Sequence, residues 1–338
     1  MATFNEKLAA LHESHPNLCG RTYALLSAVC TAFTVIVVKL IDKKISFATL
    51  GSAQGAIGVL FAHLMYGRSQ SPYPADSKVA IGLFLRGFLG ALVGVFIVLG
   101  FKVVPPQKGI VLLNTTTLWV VFLGMYFLNE YPNKLILSMI FLMFLGVILL
   151  IDPSLILPSR WLPPSQIDME VNVPIYYYLL PMSGGISGAA VTVYLKIFSG
   201  QVTPYMNSFW YFMFLTFWMG VVMEFIPFSE EALRPSIKDI LLMIIFGFLG
   251  NGYQFFLALS ARYEKRTSII SMLANFQIVL AYILDYIILG HQIEPVNAIG
   301  GLIIISATIT IAFSKESLST QAQTLPQTVG GETQPHPK

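Results

Sequence analysis

Lys39, Asn114, Lys196, Asn251, Tyr253, Gln254, Asn275 and Gln277 stand within or at the ends of long apolar stretches of this sequence. Ammonium, amide and phenol groups are costly in hydrocarbon, so each marks a candidate site. Together they offer hydrogen bonds to a polar solute. The two lysines add point charges that attract a phosphate or a carboxylate. Two plainer uses stay open. A lysine near the end of a span can thread its ammonium to the interface. An amide between helices can join them, at about 1 kcal/mol each. The candidate substrate contacts are therefore Lys39, Asn114, Lys196, Tyr253, Gln254, Asn275 and Gln277.

Glu130, Glu224 and Asp285 fall near the ends of apolar stretches. Such carboxylates either carry a coupling proton or cap and pair at the interface. Arg86, near the start of its stretch, is expected to anchor that end at the headgroups. His63 and His291 stand apart from other ligands, so no metal is expected. No cofactor is implied either. Gly-x-Ser-x-Gly, His-Glu-x-x-His and the Gly-Lys-Ser/Thr phosphate loop are all missing from the sequence, which speaks against an enzyme. Asn114-Thr115-Thr116 fits a glycosylation acceptor, but its place inside an apolar stretch removes it from reach.

The elements that position these groups are about ten apolar stretches, each near the 20 residues that cross a bilayer. They begin near Tyr23, Ser46, Val79, Gly109, Lys134, Pro174, Pro204, Asp239, Thr267 and Val296. Of the 338 residues, 55% are hydrophobic and 11% charged, against about 25% charged in soluble domains. Mean hydropathy is +0.71. The expected fold is an all-α membrane protein of ten transmembrane helices. A net charge of +3 and the lack of a basic run interleaved with aromatics exclude a nucleic-acid partner. Cys19, before the first span, and Cys30, inside it, provide no disulfide framework.

Half of the chain reads as a copy of the other half. Gly87-Phe88-Leu89-Gly90 returns as Gly247-Phe248-Leu249-Gly250. The same offset of 160 pairs Lys102 with Arg262 and Tyr126 with Tyr286, and an offset of 157 pairs Lys39 with Lys196. Five spans is an odd number, so the second copy enters the membrane from the opposite side. Two inverted five-helix repeats are the architecture of carriers that expose one central site to each side in turn. The expected divisions are a cytosolic N-terminal segment (1–20), a first repeat (21–151), a proline-rich linker (152–173), a second repeat (174–313) and a disordered cytosolic tail (314–338). Small residues at Gly51 and Gly55, Gly90 and Gly94, Gly184 to Ala190, and Gly247 to Gly252 predict close helix crossings. Lysines and arginines in the short loops place both termini in the cytosol.

At this point the pattern resembles a known family. Leu85-Arg86-Gly87-Phe88, Pro105-Pro106, Phe127-Leu128-Asn129-Glu130 and Leu145-Gly146-Val147-Ile148-Leu149, with Lys39 closing the first span, resemble the drug/metabolite transporter superfamily and its EamA-like fold. Within it the chain is similar to the G-type members of solute carrier family 35. The second half departs from the pattern, with Gly290-His291 where the glutamate recurs and Ser306 where Gly146 recurs. The resemblance implies a transporter of a small polar or amphipathic metabolite, nucleotide-sugar-like or another organic solute, acting by alternating access. The expected partners are a small-molecule substrate, membrane lipid and a second copy of the chain. The plasma membrane and the Golgi or ER membranes are the candidate locations. A non-transporting multi-pass scaffold that binds another membrane protein is the alternative.

Overall fold

The computed structural model describes residues 11–41, 45–67, 70–74, 76–103, 106–151, 153–158, 174–225, 235–290 and 294–313. Among them there are helices and no strand. Most of the linker, with Trp161, and the tail from 314 lie outside these residues. The helices are α1 (Pro16–Leu40), α2 (Phe47–Tyr66), α3 (Ser77–Val103), α4 (Pro106–Leu113), α5 (Thr116–Leu128), α6 (Lys134–Ile151), α7 (Leu179–Ile197), α8 (Pro204–Phe225), α9 (Ile237–Tyr263), α10 (Thr267–Ala274), α11 (Phe276–Leu284) and α12 (Pro295–Phe313).

Local chemistry sets the ends. Pro16 opens α1, where a missing N–H costs nothing. The first helix therefore begins seven residues before Tyr23, and Cys19 lies inside it rather than ahead of it. Ser46 Oγ accepts from Thr49 N and caps α2. Ser236 and Asp239 bond each other's backbone in a capping box that starts α9. Asn129 takes a left-handed conformation (φ 54) and stops α5.

By length and composition, nine of the described helical segments suffice to cross a membrane. Two of them are broken: α4 with α5, and α10 with α11. α8 has 22 residues but is not among the nine. Asn207, Ser208, Trp210, Tyr211 and Trp218 dilute its apolar character.

The helices pack in a paired pattern. α1 runs along α9, and α3 along α7. α8 meets α3, as α9 meets α2. α5 lies on α7, as α10 and α11 lie on α1. The pairs α2 with α8, α6 with α12 and α5 with α10 complete it. Exchanging the first five segments with the last five maps these neighbours onto one another.

Lipid tails are as apolar as leucine, so close approach through small residues drives this packing. A Cβ on Gly58 would come within 2.5 Å of the Phe212 ring, and one on Gly51 within 2.6 Å of Met219. Gly55 sits against Thr216 in the same crossing. Gly185 lies against the Leu113 carbonyl and Thr115, bringing α7 onto the break between α4 and α5. Gly146 and Gly300 let α6 and α12 touch backbone to backbone. A Cβ on Gly300 would stand 2.5 Å from Leu150 N and 2.7 Å from the Gly146 carbonyl oxygen. Gly300→Val is therefore expected to cost at least about 1–3 kcal/mol. Equilibrium unfolding in mixed micelles measures it.

Candidate functional site

α4 and α10 are both eight-residue helices, and they begin 267 − 106 = 161 positions apart. Each is followed at once by an asparagine, Asn114 or Asn275. At these points the helical ladder tightens. Thr115 N donates to Leu112 O, three residues back, and Leu118 N to Thr115 O. Asn275 N is shared between Ser271 O and Met272 O, and Ile278 N reaches Asn275 O. Short polar side chains stabilise such breaks by bonding backbone locally. Asn114 Nδ2 does so with Ile110 O at 2.8 Å.

The two breaks meet at one small cavity. It is lined by Asn114, Thr117, Leu118, Ile140, Met143, Phe144, Val147 and Asn275. Its volume of about 10 Å³ is close to the room one water needs. Asn275 Nδ2 donates to Thr117 Oγ1 at 2.9 Å, and Thr117 Oγ1 lies 2.9 Å from Ser271 Oγ. A polar chain thus bridges α5 and α10, one segment from each half. Thr117 and Ser271 were not singled out from the sequence. Their signal was their place, three residues after one break asparagine and four before the other.

A second polar cluster lies where α3, α8 and α9 meet. Arg86 is 1% exposed, which overturns its expected role as a headgroup anchor. It is the tenth residue of a 27-residue helix. At 1.5 Å per residue it sits about 14 Å from the helix start, beyond the reach of snorkelling. Arg86 Nη2 donates to Gln254 Oε1, Nη1 donates to Asn207 O at 3.3 Å, and the guanidinium lies 5.0 Å from the centre of the Tyr211 ring. Asn207 Nδ2 donates to Gln254 O at 3.1 Å. Tyr253 packs beside Leu89 against Val191, Leu257 and Ile270. Gln277 is half-buried on α11. Asn251 does joining work instead, donating to Gly58 O at 3.0 Å.

The two lysines do not share a cavity. Lys196 Nζ donates to the carbonyl oxygens of Ala261 (3.2 Å) and Glu264 (2.5 Å), closing the C-terminal end of α9. Lys39 Nζ pairs with Asp285 at 2.5 Å, with side chains 44% and 16% exposed. Glu264 precedes α10, and Asp285 follows α11. Asp285 lies 285 − 267 = 18 positions after Thr267, or about 27 Å along a helix. Lys196 and Lys39 therefore mark opposite ends of one span. Lys39→Ala is expected to change stability by only about 0–1 kcal/mol, because the lysine side chain is 44% exposed. The same unfolding measurement checks it.

The end near Lys196 is tightly closed. Arg21 Nε donates to Glu264 Oε2 at 2.9 Å, and Arg21 Nη1 to Ala312 O at 2.9 Å. Lys265 N and Arg266 N donate to Glu264 Oε1 at 2.9 and 3.4 Å. A Cβ on Gly20 would run into the Glu264 backbone, so glycine is what lets α1 close on this loop. The Asn129 turn aims Glu130 across the halves, where its carboxylate accepts from Thr267 N (2.8 Å) and Thr267 Oγ1 (2.9 Å). Glu130 is thus a cap for α10. Burial pushes its carboxyl above the ordinary range, against the Thr267 hydrogen bonds and the nearby Lys196 and Arg266 charges. His63 Nδ1 lies 3.3 Å from Tyr205 Oη. His291 lies outside the described residues. Among the described residues no group of histidine, cysteine and carboxylate could hold a metal.

The outer surface carries large apolar groups such as Tyr126, Phe141 and Leu302 at 80%, 72% and 64% exposure, while the amides and Arg86 turn inward. Such a bundle, with several helices long enough to span, is an integral multi-pass membrane protein. The chain belongs to the EamA-like transporter family, which it matches over residues 18–152 and 175–313. Members of that family are membrane transporters of small solutes, not enzymes, so a small-molecule substrate and membrane lipid follow as partners. No curated protein matches the chain significantly. Among solved structures, 29 chains match. One, described only as the crystal structure of a protein, is 15% identical and has a TM-score of 0.65, over 88% of this chain and 96% of that one. At that identity it shows the fold alone.

Proposed function

We infer that the protein carries a small polar or amphipathic metabolite by alternating access. Its halves (21–151 and 174–313, joined by a linker at 152–173) are read as inverted repeats, with α8 as the tenth span. One observation carries this reading: both halves break a span at an asparagine, and both asparagines line the same small cavity, with Thr117 between apolar walls. Interrupted helices in corresponding positions mark the central site of inverted-repeat carriers. The exchange symmetry of the helix neighbours supports it further. In this conformation the cavity has room for about one water, so the solute-bound state is wider.

Asn114, Asn275, Gln277 and Tyr253 are assigned to the central site, and Gln254 to it as the acceptor that holds Arg86 in this conformation. Lys196 and Lys39 are assigned to its two mouths. The substrate is nucleotide-sugar-like or another organic solute, in keeping with the likeness to the G-type members of solute carrier family 35. A homodimer, cytosolic termini and residence in the plasma membrane or the Golgi and ER membranes belong to the same proposal. The scaffold reading predicts an apolar, sealed interior, which the Asn114–Thr117–Asn275 cavity does not favour. A stability screen tests the assignment, with nucleotide sugars, sugar phosphates, amino acids and purines as ligands. A solute at 100 times its Kd adds about 2.7 kcal/mol. The expected result is a compound that stabilises the wild type and not Asn275→Leu. Equal stabilisation of both proteins contradicts the site.

A further inference from the structure

We propose that Arg86 is the recognition point for a carboxylate or phosphate group on the transported solute, which makes the cargo an anion or a zwitterion. This rests on the carrier reading and names its substrate class. The groups around Arg86 meet part of its hydrogen-bonding capacity without neutralising its charge. Gln254 Oε1 and Asn207 O are neutral acceptors, and Tyr211 offers a ring face. The ion pairs Arg21–Glu264 and Lys39–Asp285 do not include Arg86. Arg86 Nε is buried with no hydrogen-bond partner, as is Asn207 Oδ1 beside it.

A buried cation without a counter-charge is expensive inside a membrane protein, and such residues mark ligand pathways. The guanidinium fork suits an oxyanion. Its Nε and Nη2 edge takes two oxygens side by side. Nε is open here, and Nη2 is held by an amide, which a carboxylate or phosphate oxygen would displace as the stronger acceptor. The charge belongs to one half only. The match of Gly87-Phe88-Leu89-Gly90 with Gly247-Phe248-Leu249-Gly250 sets Phe246 opposite Arg86, and Phe246 is buried and apolar. One anionic group per transporter follows, and a purely cationic solute is repelled.

The test uses the full chain in lipid nanodiscs, with inorganic phosphate and acetate as probes, mannitol as the neutral control and sodium chloride at matched ionic strength as reference. For the wild type, at least one anion is expected to raise the unfolding midpoint saturably. Arg86→Gln loses that rise. Arg86→Lys keeps the charge but not the fork, and its affinity falls at least tenfold. Gln254→Leu removes the competing acceptor and tightens anion binding severalfold, a result that a merely structural arginine would not give. Should Arg86→Gln not fold, Gln254→Leu decides, and unchanged or weaker binding there overturns the proposal. So does an absent rise in the wild type, or an equal one in wild type and Arg86→Gln. Thiol labelling at positions 114 and 275 separates the two readings. A wet cavity with no anion effect removes the anion site alone, while an anion effect with a sealed cavity removes the carrier.

Discussion

Glu264→Ala is expected to destabilise the protein by about 3–5 kcal/mol, the cost of breaking one partner out of a buried ion pair. Glu264 is fully buried, and its carboxylate faces the Arg21 guanidinium at 2.9 Å. It also gathers the backbone N–H groups of Lys265 and Arg266, so the substitution removes a charge and loop hydrogen bonds at once. The loop ties α1 to the start of α10, with Lys196 and Ala312 on its flanks. Glu264→Gln keeps an acceptor and is expected to recover part of the loss. Equilibrium unfolding in mixed micelles measures both. A change under about 1 kcal/mol, the range of exposed pairs, would show that this end is not closed as described.

Asn275→Leu is expected to cut solute uptake at least tenfold while leaving the fold intact. The side chain sits on the α10–α11 break and donates to Thr117 across the halves. Leucine of similar size removes the amide and dries the cavity. An amide that offers the solute two hydrogen bonds at about 1 kcal/mol each accounts for roughly thirtyfold, since 1.4 kcal/mol is tenfold. The Thr117–Ser271 contact remains to hold the helices. Initial uptake into proteoliposomes, at equal incorporated protein, is the readout, with whichever solute stabilises the wild type. Unchanged uptake would leave Asn275 as a joint between helices.

The helices were legible because length and hydropathy are local properties. The breaks were legible in part: Asn114 and Asn275 stood out as amides in apolar runs, but their control of helix continuity did not. Arg86 was misplaced because an isolated charge in a sequence defaults to the nearest interface. Its true depth depends on Gln254 and Asn207, 168 and 121 positions away. The lysines hold matching places in the sequence, yet their partners lie at opposite ends of the α10–α11 span. Lys39 thus found Asp285, and Lys196 found the α9 carbonyls. Glu264 drew no notice because a charge in a short loop looks solvated until α1 closes over it. Glu130 was legible as a cap, but the helix it caps lies in the other half.

The most direct test is two-sided thiol accessibility. Asn114→Cys and Asn275→Cys, in a background without Cys19 and Cys30, are labelled in sealed vesicles by a membrane-impermeant maleimide from either face. Both positions are expected to label from each face, with bound solute slowing the reaction. No labelling from either face, or labelling from one face alone whatever the solute, would contradict it.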